Sequence, residues 1–360
     1  MCGDVMTGRG VDQILAHPSD PILYESYSHD ARDYIELAER VNGPVPRQVS
    51  SAYVWGAALD VLREARPAAR VVNLETSVTC SRSPWVPKGI NYRMHPDNVS
   101  CLTAAGIDVC ALANNHVLDW GYAGLLETLD VLHGARIATC GAGADRAQAE
   151  DAAAVLVGRA ARVLVLAFGH ESSGVPPEWG ARKHAAGVAR IEDLSASEAR
   201  AIGDRIDRHR RPGDIVVVSI HWGGNWGYRV PDAHVRFAHA LIDAGADVIH
   251  GHSSHHPRPI EVHAGKLVLY GCGDLINDYE GIRGHEEYRG ELGIMYFAAV
   301  DPTSGLLIEL RMVPLRLSRM QLVPCNEEER SFVLHTLAVS SAPFGTQIAA
   351  GPRGTIVVHP

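Results

Sequence analysis

Short apolar runs that stop abruptly on polar or charged side chains recur along the chain. Val71-Val72-Asn73-Leu74-Glu75 reads as a buried strand ending on a carboxylate, and residues 107–113 read as a strand that runs into Asn114, Asn115, His116 and Asp119. Residues 153–157 and 163–168 flank G-R-A-A-R like the arms of a hairpin, with His170 and Glu171 directly after the second arm. The most strongly apolar run, D-I-V-V-V-S-I at 214–220, delivers His221, Trp222, Gly223 and Gly224, and residues 246–249 lead into H-G-H-S-S-H-H-P. Between these runs, apolar positions at helical spacing predict helices over 53–65, 98–105, 121–134, 194–211 and 231–245. Hairpins are expected at 259–270 and 292–313, and a peripheral helix at 327–339. The opening G-D-V-M-T-G-R implies a very short first strand or a late chain start. Residues 17–50 have little periodicity and read as an insertion or lid, and G-C-G-D-L-I-N-D-Y-E-G reads as a Gly-rich polar loop.

Repetition of strand, loop and helix predicts an α/β fold. Composition narrows the class further. The 360 residues are 46% hydrophobic and 21% charged, which excludes disorder, and no uninterrupted apolar run is long enough to span a bilayer. A net charge of −9, from 42 acidic against 33 basic residues without a basic stripe, argues against a nucleic-acid partner. The start M-C-G-D-V-M lacks a basic segment followed by an apolar core, so the expected location is cytoplasmic. Seven cysteines, never spaced C-x-x-C, read as reduced structural thiols. Nineteen histidines make imidazole chemistry the unusual feature.

Asp4, Glu75, Asn115, His221 and His252 each follow a strand-like run, so a layered sheet would carry all of them to one edge. Hard oxygen donors mixed with imidazoles suit two divalent ions such as Mn, Fe or Zn. A bridging water between such ions implies hydrolase chemistry.

The succession G-D-V-M-T-G-R, N-L-E-T, A-N-N-H-V-L-D-W-G, S-I-H-W-G-G, G-A-D-V-I-H-G-H-S-S-H-H-P-R-P-I-E and Y-G-C-G-D-L-I-N-D-Y-E-G resembles the bacterial CapA family of poly-γ-glutamate capsule synthesis proteins. These are similar in fold to calcineurin-like metallophosphatases. The resemblance implies a layered α/β/β/α sandwich of mixed sheets over residues 1–315, with 316–360 as a C-terminal extension packed on it. It implies Asp4 on the first metal, Glu75 as the bridging carboxylate, and Asn115, His221 and His252 on the second metal. His116 becomes the acid that protonates a leaving group, oriented by Asp119, and His255 or His256 serves the first metal. Met6 stands where the metallophosphatase pattern has a histidine, and Asp274 either adds charge near the metals or caps a turn. Arg93 and Arg229 are candidates for gripping carboxylate or phosphate. His250 supports a ligand or meets substrate, and Trp222 and Trp226 either wall the cleft or fill the core. The implied activity is metal-dependent hydrolysis of an amide or phosphate ester in an anionic, polyglutamate-like substrate. The alternatives are a non-catalytic subunit of a capsule polymer assembly or a small-molecule phosphatase or phosphodiesterase. Homo-oligomer formation is left open.

Overall fold

The apolar runs that end on polar residues assemble into two facing sheets. The structure, a computed structural model, describes residues 1–86, 88–158 and 161–359. The first sheet is entirely parallel, in the order Asp274–Ile276, Asp4–Val5, Val71–Leu74, Val109–Ala111 and Ala138–Cys140. The second is a mixed seven-stranded sheet built around the parallel strands Ala161–His170, Ile215–His221 and Val248–His252. The antiparallel hairpin Ile260–His263 and Lys266–Leu269 forms one edge of it. Ala153–Val157 pairs antiparallel with Ala161–His170, as the hairpin pattern predicts; residues 159 and 160 of the expected turn lie outside the described residues.

Alternation along the central strand separates the layers. Val216, Val218 and Ile220 pack with Ile202, Ile206, Phe237 and Leu241, from helices Ala196–His209 and Asp232–Asp243. Val217 points the other way, into one core with Val5, Val72 and Cys110 of the first sheet. Leu125, Leu129 and Leu132 of helix Gly121–Gly134 belong to that same core. The result is the expected α/β/β/α sandwich. Ser219 and His221 continue the Val217 face, and register pairs them with His250 and His252, so the polar ends of both strands open between the sheets.

Three elements differ from the sequence expectation. Asp274–Ile276, inside the expected polar loop, is a buried strand parallel to Asp4–Val5. Its glycines reflect close backbone approach: a Cβ on Gly3 would lie 1.8 Å from the Gly273 carbonyl oxygen, and Gly273 has φ +73°. Residues 17–50 contain helix Arg32–Asn42, which buries Tyr34, Ile35 and Ala38. The strand beginning at Val248 runs through to His252, so His250 belongs to a strand and not to a loop.

A third, antiparallel sheet contains Leu292–Val300, Leu307–Ser318, Ile356–Val358, Ile348–Ala350 and Gln321–Pro324. The expected division at 315/316 falls inside one of its strands. Helix Glu327–Ser341 starts with a capping box between Asn326 and Glu329. All seven cysteines are free thiols, and no described helix is long and apolar enough to cross a membrane.

Candidate metal centre

Parallel pairing of Asp4 with Asn73 on one side and Asp274 on the other sets two carboxylates and an amide side by side. The Asn73 amide donates to Asp4 Oδ1 at 2.7 Å and to Glu75 Oε2 at 2.9 Å, tying a third carboxylate into the group. Opposite them, the ends of the second sheet contribute His221, His252 and His255. Two sets of donors result, Asp4 with His221 and His252, and Asp4 with His255 and Asp274; within each set the donor atoms lie within 4.8 Å of one another. Asp4 is common to both. All five side chains are buried or nearly so.

A hydrogen-bond relay fixes how His252 presents its ring. Cys2 O can only accept, so His250 Nε2, 2.7 Å away, carries the proton. Burial, followed by the nearby N-terminal ammonium, pushes the His250 pKa down to about 4, leaving its Nδ1 an acceptor. Ser219 therefore donates its hydroxyl proton to His250 Nδ1 at 3.0 Å and accepts from His252 Nε2–H at 2.8 Å. The consequence is a bare lone pair on His252 Nδ1, directed toward the donor cluster.

His221 then faces acceptors on both sides. Its Nδ1 lies 2.8 Å from His252 Nδ1, while its Nε2 lies 3.0 Å from Asn115 Oδ1 and 3.8 Å from Glu75 Oε1. Burial, then the neighbouring His116, holds its pKa well below the usual histidine value, so it has one proton for two acceptors. The carboxylates show the complementary shortage. Burial and then Asp274 push Asp4 up to about 7, and burial and then Asp4 raise Glu75 well above the usual carboxylate range. Burial opposes charge on His255 as well, but Asp274, 3.1 Å from its Nδ1, outweighs it and raises its pKa. Crowded carboxylates and convergent imidazole lone pairs lack positive charge, and their oxygen and nitrogen donors fit a pair of divalent transition ions.

Beside this group lies a second constellation. His116 Nδ1 is 2.7 Å from Asp119 Oδ2, and its Nε2 is 3.8 Å from Glu75 Oε1. Asp119 also accepts from the Tyr92 backbone N–H at 2.6 Å and from Lys88 Nζ at 2.5 Å. Lys88 further donates to the Asn115 carbonyl and lies 2.9 Å from His116 Nδ1. Burial, and then the Lys88 ammonium, lower the His116 pKa to about 4. Asn114 is fully used in holding the loop: it donates to the Asn73 side-chain Oδ1 and to Leu74 O, and accepts from the His116 and Val117 N–H groups.

Asp4, Glu75, Asn115, His116, Asp119, His221, His252 and His255 thus converge, whereas the expected substrate residues do not. Arg93 is buried, spends two guanidinium nitrogens on the Ser81 and Asp20 carbonyls, and lies 3.9 Å over the Trp120 ring. Trp222 is a core residue, stacked on His234 and donating to Tyr270 O. Arg229 is exposed and has no hydrogen bond or ion pair among the described residues. His250 is fully buried and supports His252, out of reach of substrate. His256 stacks on Tyr288 and points Nδ1 to Pro257 O, leaving His255 as the one that faces Asp4 and Asp274.

Sequence reasoning missed Lys88, Asn73 and Ser219, and left Asp274 undecided. Lys88 lies in an irregular loop with no periodic signal. The Asn73 and Ser219 side chains face into the site from strands whose apolar neighbours dominated the pattern. A cleft of about 650 Å³ adjoins the centre, lined in part by Tyr92, Trp226, His255, Asn277, Tyr279 and Arg283.

Residues 1–279 match the family described as bacterial capsule synthesis protein PGA_cap. Over 359 residues the chain is 49% identical to the "Probable polyglutamine synthesis accessory protein" of Mycobacterium tuberculosis, covering 99% of this chain and 94% of that one. It is 26% identical over 277 residues to the PGA biosynthesis protein CapA of Bacillus subtilis, covering 77% of this chain and 62% of that protein. The capsule biosynthesis protein CapA of Bacillus anthracis is 26% identical over 278 residues, which cover 77% of this chain and 59% of that protein. The chain belongs to the bacterial capsule synthesis protein family PGA_cap, the family of CapA.

Proposed function

We propose that the chain is a metal-dependent hydrolase that cuts an amide or phosphate ester bond in an anionic, polyglutamate-like substrate. The observation that carries this reading is the pair of donor sets sharing Asp4, beside the His116–Asp119–Lys88 group. Asp4, His221 and His252 would hold one ion, and Asp4, His255 and Asp274 the other, with Glu75 and Asn115 adjoining. When bound, such ions supply Lewis acidity and lower the pKa of water. His116 is neutral near pH 7 and presents Nε2 toward the centre, so it takes up a proton there before giving one to a leaving group. Asp119 holds the ring by Nδ1, and Lys88 places a positive charge next to both. Arg9, Arg289 and Arg316 in the cleft already have carboxylate partners; among the described residues Arg283, exposed on the rim, has none within ion-pair distance and can meet an anionic group. The relatives are named for polyglutamine synthesis and PGA biosynthesis, which supports a polymer of glutamate-type units as the setting.

The test is turnover by chelator-stripped protein reloaded with Mn²⁺ or Zn²⁺, presented with poly-γ-glutamate, γ-glutamyl amides and phosphate esters. Cleavage that Asp4→Asn and His252→Ala abolish is the expected result. Metal-loaded protein that cleaves none of these overturns the reading and favours the alternative, an accessory subunit that keeps the fold without the chemistry. Met6, fully buried where a ligand histidine was expected, is the observation on that side.

A further inference from the structure

The succession D-L-I-N-D-Y at 274–279 runs from a donor carboxylate of the Asp4 centre to a phenol in the adjoining cleft. Asn277 ties the two together: its Nδ2 donates to Asp274 Oδ2 at 2.9 Å, and its Oδ1 accepts from the Tyr279 N–H at 3.0 Å. The backbone of Tyr279 is therefore fixed relative to Asp274. Its ring centroid lies 5.1 Å from that of His255, with the planes at 82°. On the other side stands Tyr92, whose ring meets that of His116 edge-on at 4.6 Å. Tyr279 thus lines the cleft beside one donor set and, through Tyr92, beside the His116 group.

The two hydroxyls are unequally used. Tyr92 Oη donates to Tyr279 Oη at 3.1 Å, which leaves the Tyr279 proton for a different acceptor. Among the described residues it has none. The Asp274 oxygens already meet His255 and Asn277, and those of Asp278 and Glu25 meet Arg9 and Tyr34. Arg9 lies under the same phenols, 4.6 Å from the Tyr92 ring centre and 5.7 Å from that of Tyr279, but spends its nitrogens on those carboxylates. A half-buried phenol in an open cleft gives its proton to water. A ligand that displaces this water has to accept the proton itself or leave a donor unpaired, which costs free energy. An anionic oxygen is the strongest acceptor, and a hydroxyl that itself accepts a hydrogen bond is polarised into a better donor.

We infer that Tyr279 is a ligand-binding residue of the Asp4 centre, donating its phenolic proton to an anionic oxygen of the bound substrate or product. This rests on the reading of the centre as a metal-dependent hydrolase, and the test separates the two. Protein stripped with chelator, reloaded with Mn²⁺ and freed of excess metal is titrated calorimetrically with inorganic phosphate and, separately, with L-glutamate. Wild type, Tyr279→Phe and Tyr92→Phe are compared. Wild type is expected to bind at least one of the two anions, phosphate marking a phosphoryl oxygen and glutamate a carboxylate. Tyr279→Phe should bind that anion weaker by about tenfold or more, the usual worth of a hydrogen bond to a charged group. Tyr92→Phe breaks the same hydroxyl pair but keeps the Tyr279 proton, so it should stay within about threefold of wild type. Mn²⁺ uptake should be the same in all three. Wild-type anion affinity in Tyr279→Phe, equal losses in the two variants, reduced Mn²⁺ uptake by Tyr279→Phe, or no binding of either anion by loaded wild type would each overturn the inference. Turnover is read separately: anion binding that depends on Tyr279 in protein that cleaves neither glutamyl amides nor phosphate esters upholds the inference while the hydrolase reading fails.

Discussion

Replacing Ser219 by alanine removes one buried oxygen on which two imidazoles depend. His250 Nδ1 loses its donor, His252 Nε2–H loses its acceptor, and neither side chain has solvent to turn to. Leaving a buried polar group unsatisfied costs roughly 1–3 kcal/mol, so the pair puts the loss of folding stability at about 2–6 kcal/mol. The effect on metal binding is separate. Without the hydroxyl, nothing holds the His252 proton on Nε2, and the lone pair on Nδ1 is no longer fixed toward Asp4. Loss of such an orienting contact weakens metal affinity about 10–100-fold, or about 1.4–2.8 kcal/mol. The assay is titration of chelator-stripped protein with Mn²⁺, paired with thermal unfolding, for wild type, Ser219→Ala and Ser219→Thr. Alanine should lower both stability and affinity, and threonine, which keeps a hydroxyl, should restore most of the affinity. If Ser219→Ala loses stability but binds Mn²⁺ as wild type does, the relay from Cys2 O to His252 does not orient a ligand, and the reasoning fails.

Three further outcomes follow from buried charge. Lys88→Met leaves Asp119, fully buried, without its ammonium partner; the loss should be near the lower end of the about 3–5 kcal/mol for a broken buried pair, and the His116 titration followed by NMR in metal-free protein should move upward because Lys88 depresses it. An unchanged His116 midpoint would contradict this. Arg9→Met strips Asp278 and Glu25 of a guanidinium that binds both at 2.5–2.9 Å, and should cost about 3–5 kcal/mol in a denaturant melt; a loss under about 1 kcal/mol would show that the pairs carry little. In chelator-stripped protein, Asp4 is raised from 3.8 to about 7 and His255 is raised above 6.5, so the folded state binds protons more tightly than the unfolded chain at both groups. Stability contributed by His255 is present below its unfolded pKa and lost as pH rises through the folded one, and the ionising Asp4 adds a penalty in the same direction. The Tm of stripped protein should therefore fall as pH rises toward about 7 through Asp4 and keep falling above 6.5 through His255, and divalent metal should abolish that slope; a flat or rising Tm in stripped protein would refute it.

The sequence disclosed the centre where a strand ended in unmistakable chemistry. Glu75, His221 and His252 follow runs of Val, Ile and Leu, and burial of those runs leaves their polar ends between the sheets. Residues that act from within a strand were harder to see. Ser219 reads as an interruption in D-I-V-V-V-S-I, and only register with His250 reveals its partners. Asp274 was left undecided because glycines around it imitate a loop, although they permit the close packing of Gly3 on Gly273. Its place beside Asp4 puts a carboxylate in the donor set with His255, where Met6 offers none. Lys88 left no pattern at all, since an irregular loop brings it to His116 across 28 residues. Arg93 misled in the opposite direction: guanidinium chemistry suits an anion, but two backbone carbonyls and an indole face already occupy it.

The central claim is that Asp4 joins two divalent ions. Anomalous diffraction from crystals of the Mn²⁺-loaded protein tests it most directly. The account predicts two neighbouring peaks that both touch the Asp4 carboxylate, one also reached by His221 and His252 and the other by His255 and Asp274. No peak at Asp4, or a single peak that leaves either set of donors without metal, would contradict it.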